Sequence, residues 1–93
     1  MAELETRITE LKVRFIGGLA RRMDDIDRLW ASPGEEATAA RALHSLAGTA
    51  STFRLAFIAE AAGEAEIAIE DGIARPTIDK LLARLRETVT ACP

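Results

Sequence analysis

The chain has 93 residues, of which 12 are basic and 15 are acidic, and its formal net charge is −3. This length is enough for one modest hydrophobic core, and the even spread of charge argues against nucleic-acid binding, which usually needs a concentrated basic patch. Alanine and aliphatic residues dominate the apolar fraction, which favours helices. We therefore expect a single all-α domain over residues 1–93.

The sequence also bears on the compartment. The only cysteine, Cys92, has no partner for an internal disulfide, so nothing indicates an oxidising compartment. Charged Glu3, Glu5 and Arg7 stand where the apolar part of a signal peptide would begin. No apolar run approaches the roughly 20 residues that cross a bilayer. We expect a cytoplasmic protein that has no membrane partner.

The first apolar stripe runs from Leu4 to Trp30. Its members recur at helical steps of three and four, with one position skipped: Leu4, Ile8, Leu11, Phe15, Leu19, Met23, Ile26 and Leu29. Gly17-Gly18 interrupts this stripe, and two glycines weaken a helix by roughly 2 kcal/mol relative to alanine. Because the phase continues across the pair, we predict one long first helix with a kink at Gly17-Gly18.

The second helix has a predicted start at Ser32. Ser32 is expected to cap it, Pro33 to occupy its first position and Glu35 to complete a capping box. This helix is predicted to run through His44 to about Thr52, and a turn is predicted around Arg54 because the apolar phase resets there.

Two further helices complete the chain. The third has an apolar stripe that ends before Asp71-Gly72, where Gly72 is predicted to be a left-handed cap, and the fourth opens at Pro76-Thr77. Their stripes consist of Leu55, Ile58, Ala62, Ala65 and Ile69, and of Ile78, Leu81, Leu82, Leu85 and Val89. Short connections between amphipathic helices imply antiparallel neighbours. The fold is therefore predicted to be an antiparallel up-down four-helix bundle.

The second helix carries the only histidine, His44. At 100° per residue, its leucine stripe, with Ala39, Leu43, Leu46, Ala50 and Phe53, falls on the face away from His44. The neighbours of His44 on the outer face are small except for Arg41: they are Ala37, Ala40, Ala47, Gly48 and Ser51. Solvent-facing helix surfaces normally carry long charged side chains. The bare surface therefore indicates that another molecule approaches the imidazole closely.

Other chemistry has little support in the residues. One histidine and one terminal cysteine do not supply a converging set of metal ligands. Ser45 points about 100° away from the adjacent His44, which excludes a serine–histidine pair within the helix. No glycine loop has the pattern that cradles phosphates, and no strand supports a dinucleotide fold. His44 is therefore the candidate chemical group.

The segment His44-Ser45-Leu46-Ala47-Gly48 and the small residues that follow it resemble the His-x-x-Lys-Gly signature of histidine-containing phosphotransfer (HPt) domains. The predicted helix order is also similar to that of the family's four-helix bundle, so the resemblance covers nearly the whole chain. The sequence departs from the pattern at two positions. Ala47 replaces the family lysine, and Arg54 replaces a later glycine. The lysine is thought to accommodate the charge of the phosphoryl group, and Arg41 or Arg54 is a candidate replacement.

The resemblance implies a phosphocarrier rather than an enzyme. His44 would take a phosphoryl group through Nε2 from an aspartate of a receiver domain and return it to another receiver. The receiver would supply Mg²⁺ and most of the catalysis, and the chain itself would need no cofactor. The implied partners are a response-regulator receiver domain and a hybrid histidine kinase, and the expected state is a monomer. The docking face would consist of Ala37, Ala40, Ala47, Gly48 and Ser51.

Two alternatives remain open. An HPt-like adaptor would bind a receiver or kinase without efficient phosphotransfer, as the absence of the lysine suggests. An unrelated structural bundle would bind no receiver. The exposure of His44 separates these hypotheses in part, because a histidine buried between helices would exclude the relay.

Overall fold

A computed structural model describes residues 2–92 of the chain. These residues form five helices and no strand, which confirms the all-α prediction for this part of the chain. The helices are α1 (Ala2–Gly17), α2 (Leu19–Ala31), α3 (Glu36–Thr52), α4 (Ala56–Glu70) and α5 (Arg75–Thr90).

Helices α2 to α5 form a closed ring around one hydrophobic core. Helix α2 packs on α3, α3 on α4, α4 on α5, and α5 returns to α2. The connections are short and span residues 32–35, 53–55 and 71–74. Helices that are consecutive in the chain are therefore adjacent in the ring. The contact between α3 and α4 is the most extensive of the four, and it fixes the surroundings of His44.

The predicted core stripes of α3, α4 and α5 are largely confirmed. Their central members are buried: Ala39, Leu43, Leu46 and Ala50 on α3, Ile58, Ala62 and Ala65 on α4, and Ile78, Leu82, Leu85 and Val89 on α5. Phe53 is only half-buried, because α3 ends at Thr52, and its ring stacks on that of Phe15 with centroids 5.5 Å apart. The helical period therefore identified the core of the ring.

The first helix differs from its prediction. Leu4, Ile8 and Leu11 are 62%, 49% and 41% exposed, and α1 has no buried residue. Helix α2 alone supplies the buried residues of this segment, which are Leu19, Met23, Ile26 and Trp30. The reason is length: the ring helices have 13 to 17 residues, so most of α1 extends beyond the ring and finds no partner.

The glycine pair divides the predicted long helix at Gly18, which separates α1 from α2. The N–H of Gly18 bonds the carbonyl of Phe15, three residues back, at 3.1 Å. The longest dimension of the molecule is 47 Å, and a continuous helix of 30 residues would be about 45 Å long. Helix α1 therefore continues in roughly the direction of α2 beyond the break.

The start of α3 corrects the predicted capping box. The helix begins at Glu36 with Glu35 in the cap position and no side-chain capping bond. The Ser32 hydroxyl instead donates to the carbonyl of Arg28 at 2.8 Å, and the N–H of Glu35 bonds the carbonyl of Ser32 at 3.1 Å. Residues 32–35 thus close α2 in a turn, and Pro33 lies in the connection rather than in the helix.

Two helices end in the same left-handed motif. Gly72 has φ 69°, and the N–H of Ile73 bonds the carbonyl of Ala68 at 3.0 Å, as predicted for the end of α4. Arg54 has φ 59°, and the N–H of Leu55 bonds the carbonyl of Ala50 at 2.8 Å. The end of α3 therefore uses the glycine-type cap with an arginine in the strained position.

Candidate functional site

His44 lies near the middle of α3, and its side chain is 79% exposed. The adjacent turns of the helix are anchored by Leu43 and Leu46, which are fully buried in the core. Because these leucines fix the rotation of α3, the imidazole is held on a rigid, outward-facing surface. The exposure predicted from the helical period is confirmed. His44 is not buried between helices, an arrangement that would have excluded a relay.

The imidazole is oriented by a carboxylate on α4. Nδ1 of His44 lies 3.0 Å from Oε2 of Glu66, whose side chain is only 17% exposed. An ionised carboxylate only accepts hydrogen bonds, so this contact requires that Nδ1 carries the proton and donates it. Nε2 then holds a free lone pair directed away from Glu66. The site therefore presents Nε2 as the nucleophilic atom.

Glu66 was not among the site residues predicted from the sequence. A signal was nevertheless available in the spacing. His44 and Glu66 are equidistant from Leu55, which lies in the short connection between α3 and α4. Two helices joined by a tight turn bring such equidistant residues opposite one another, so Glu66 was the acidic residue to expect beside His44.

A groove runs beside the imidazole between α3 and α4. Helix α3 lines it with Glu36, Ala37, Ala40, Arg41 and His44, and α4 lines it with Glu66, Ile69 and Glu70. The neighbouring Glu66 carboxyl raises the pKa of Glu70 above its usual value through a hydrogen bond, and desolvation and charge repulsion from Glu66 act in the same direction. Three carboxylates and one guanidinium therefore line the space next to His44.

The predicted docking face is narrower than expected. Ala37, Gly48 and Ser51 are exposed, as the helical period required. Ala40 is buried at 7% exposure, and Ala47 is half-buried against the core. Ala40 lies beside residues of α4, and Ala47 packs against the core, which corrects their placement on the outer face. A strip of small residues nevertheless remains open on both sides of His44.

The two candidate phosphoryl-supporting arginines lie in different places. Arg41 lines the groove beside His44, and its guanidinium donates to the hydroxyl of Thr38, one turn towards the start of the helix, at 3.2 Å. Arg54 lies after the end of α3 and lines a separate cavity between α4 and α5, together with Phe57 and Arg84. The structure brings Arg41 to the site and places Arg54 on another surface.

The described residues contain neither a metal-ligand cluster nor a membrane-spanning helix. Within residues 2–92, no group of three or more His, Cys, Asp or Glu side chains is arranged to hold a metal ion. In the same part of the chain, no helix has both the length and the apolar character needed to span a membrane.

Comparison with known proteins gives a family assignment. The model of the Hpt domain matches residues 10–91. No curated protein and no solved structure matches the chain. The matched range includes His44, Glu66 and all four helices of the ring. Since it spans most of the sequence, the chain belongs to the Hpt-domain family, whose members are phosphocarrier modules for histidine phosphotransfer in two-component signalling.

Proposed function

We propose that this protein is a phosphorelay intermediate that carries a phosphoryl group on His44 between aspartates of receiver domains. The observation that carries the proposal is the exposed imidazole whose Nδ1 is bonded to Glu66. This bond prepares Nε2 to attack without any proton transfer beforehand. Membership of the Hpt-domain family supports the same reaction.

The transfer exchanges one phosphorus–oxygen bond for one phosphorus–nitrogen bond. The Nε2 lone pair attacks the phosphorus of the receiver's phosphoaspartate in line, and the bond between phosphorus and the aspartate oxygen breaks. Its electron pair stays on the aspartate, which becomes a carboxylate. The Nδ1 proton stays on the ring, so the phosphorylated imidazole is cationic and the carboxylate of Glu66 stabilises it. The reverse sequence returns the group to a second aspartate.

The open strip around His44 forms the proposed docking surface. Ala37, Gly48 and Ser51 leave room for a receiver to bring its aspartate to Nε2, and Ala40 and Ala47 form the adjoining flank beside α4. Arg41 is the proposed cation for the phosphoryl group, in place of the lysine that the family carries at Ala47. Arg54 is proposed as a weaker, peripheral source of positive charge.

The proposal covers the whole chain, 1–93, as one HPt-like domain with an antiparallel ring of four helices. Its partners are a response-regulator receiver domain and a hybrid histidine kinase, and Mg²⁺ is bound by the receiver. We propose that it acts in the cytoplasm as a monomer, without a membrane or nucleic-acid partner.

A panel of phosphorylated receiver domains tests the proposal. Incubation should move the phosphoryl group to this protein in an acid-labile form, since phosphohistidine is labile in acid. His44→Gln should abolish the transfer. Ser45→Ala is the matched control, because Ser45 is the exposed neighbour of His44 and its replacement should leave the transfer intact. Label that survives His44→Gln would contradict the proposal.

A receiver-binding adaptor is the second candidate, and Ala47 is the observation that favours it. An Hpt domain without the lysine has less positive charge to hold a phosphoryl group. Under this alternative, a receiver binds the wild-type protein with measurable affinity but no phosphohistidine forms. Ala47→Lys should then restore transfer, whereas an unrelated structural bundle would bind no receiver at all.

A further inference from the structure

The charges beside His44 are mostly negative. Glu66 bonds Nδ1, and Glu70, the last residue of α4, lies one turn further along the same helix. Glu36 lines the same groove. Within residues 2–92, the side chain of His44 has Glu66 as its only hydrogen-bond or ion-pair partner. A phosphoryl group on Nε2 would therefore arrive next to carboxylates.

Two arginines lie beside this groove. Arg41 lines the groove but donates to Thr38 at 3.2 Å. Arg75 lies 3.6 Å from Glu36, and its guanidinium also stacks 3.8 Å above the ring of Trp30. Arg75 thus offsets the charge of Glu36, whereas no described cation pairs with Glu70. Glu70 is the least compensated carboxylate of the groove.

We propose that this groove destabilises the phosphorylated form of His44, so that the phosphotransfer equilibrium is shifted towards the receiver aspartate. This inference rests on the proposed phosphorelay function and specifies its direction. The protein would pass phosphoryl groups on and would not store them, because Glu70 repels the group when it is on His44. The receiver supplies its own Mg²⁺, so the same repulsion does not apply after transfer.

The physical basis is the position of the two negative groups relative to the ring. Glu66 faces Nδ1 and stabilises the cationic imidazole, so it favours phosphorylation. The Glu70 carboxyl makes no hydrogen bond to the ring. A charged imidazole attracts its carboxylate, but the phosphoryl group carries a charge close to −2 at neutral pH, so its repulsion outweighs the attraction of the single ring charge. Glu66 and Glu70 therefore act in opposite directions although they are neighbours on α4.

The test is the equilibrium constant between His44 and a receiver aspartate. The receiver that transfers fastest in the panel is mixed with this protein, and the ratio of the two phosphoproteins is measured from both directions on a phosphate-affinity gel. Because the partner is the same in every mixture, a change in the ratio reports only on the phosphorylated and free forms of this protein. Glu70→Gln should raise the ratio of phosphohistidine to receiver phosphoaspartate about two- to fivefold, the range expected for exposed charge pairs.

Two comparisons make the test specific. Glu36→Gln should shift the ratio less than Glu70→Gln, because Arg75 already offsets Glu36. Glu60→Gln is the matched control: it removes the same charge from an exposed position of α4 that faces the cavity between α4 and α5. It should leave the ratio unchanged. The effect of Glu70→Gln should largely disappear in 1 M salt, where the Debye length is about 3 Å.

The outcomes separate this inference from the proposed function. Phosphohistidine that forms equally in wild type, Glu70→Gln and Glu60→Gln would overturn the inference and leave the relay intact. A shift that persists in 1 M salt would also overturn it. Phosphohistidine that accumulates only in Glu70→Gln would support it strongly. Failure of every variant to form phosphohistidine would overturn the proposed function and, with it, the inference.

Discussion

At the scale of single residues, a carboxylate 22 positions later in the chain determines which nitrogen of the His44 imidazole carries the proton. The contact between His44 and Glu66 links two helices, fixes which nitrogen carries the proton and leaves the other nitrogen free. Glu66 is largely shielded while His44 is exposed, so the acceptor is held firmly and the nucleophile is accessible. In the proposed reaction, Glu66 is a positioning residue because it acts through the ring.

Substitution of Glu66 should slow phosphotransfer. Hydrogen bonds to charged groups contribute about 1.5–3 kcal/mol, which corresponds to a loss of roughly 10- to 100-fold for Glu66→Ala. Glu66→Gln should lose less, since its amide oxygen can still accept from Nδ1 but carries no charge. Nitrogen NMR of the imidazole is the second readout: the proton should reside on Nδ1 in wild type and shift towards Nε2 in Glu66→Ala. An unchanged tautomer would contradict the positioning role.

At the scale of elements, α3 carries a glycine that its own packing does not require. A methyl group built on Gly48 would meet no atom within 4 Å. Glycine in the interior of a helix is less favourable than alanine by about 0.5–1 kcal/mol. Since the bundle does not need the space, we propose that a partner surface uses it.

Gly48→Ala should therefore stabilise the folded protein but slow its phosphotransfer. The free energy of unfolding should rise by about 0.5–1 kcal/mol, and transfer from a phosphorylated receiver should fall on the order of tenfold because the methyl group displaces the partner. Gly17→Ala is the matched control, since Gly17 is helical, exposed and equally open, and lies on α1. It should leave the transfer rate unchanged. Equal rates in both variants would contradict the docking role of Gly48.

The end of α3 contains backbone strain at Arg54. Its φ of 59° is disfavoured for residues with a Cβ by about 1–2 kcal/mol. Arg54→Gly should remove this strain and raise the free energy of unfolding by about 0.5–1 kcal/mol, after the larger entropy of glycine in the unfolded chain is subtracted. Urea denaturation monitored by the fluorescence of buried Trp30 measures the change.

Arg54→Ala separates the backbone from the side chain, because alanine keeps the strain and loses the guanidinium. Arg54→Ala should not raise the free energy of unfolding as Arg54→Gly does. If Arg54→Gly were destabilising, the contacts of Arg54 in the cavity between α4 and α5 would outweigh the strain of its backbone.

At the scale of the whole molecule, stability should respond to the hydrogen bond and the charge repulsion between Glu66 and Glu70. The pKa of Glu70 is raised in the folded protein, chiefly by Glu66. The folded state therefore binds more protons than the unfolded chain in the interval above the ordinary pKa of Glu70. Stability should consequently fall as pH rises through this interval.

Glu70→Gln should remove that component of the pH dependence. The variant should gain stability over wild type at pH 7 and show a smaller difference at pH 3, which lies well below the ordinary pKa of a glutamate, so that the wild-type carboxyl is largely protonated in both states. Urea denaturation at the two values of pH gives the comparison. Glu60→Gln is again the control. A gain that is equal at both values of pH would mean that Glu66 does not cause the effect.

Much of the fold follows from the sequence itself. The spacing of apolar residues on α3, α4 and α5 determined which faces are buried, because a helix must turn its leucines towards the core. The left-handed cap at Gly72 followed from residue chemistry. The exposure of His44 followed from its angle to Leu43 and Leu46. These features are local, and periodicity describes local geometry well.

The tertiary structure decided the features that depend on contacts between residues far apart in the chain. Apolar spacing on α1 predicted burial, but Leu4, Ile8 and Leu11 lie beyond the ends of their partner helices. Packing of α4 covered Ala40, which the period of α3 alone had placed outside. Above all, the register between α3 and α4 brought Glu66 to Nδ1 of His44. The sequence by itself determined that His44 is exposed and is the proposed nucleophile, and the packing of two helices determined which of its nitrogens is free.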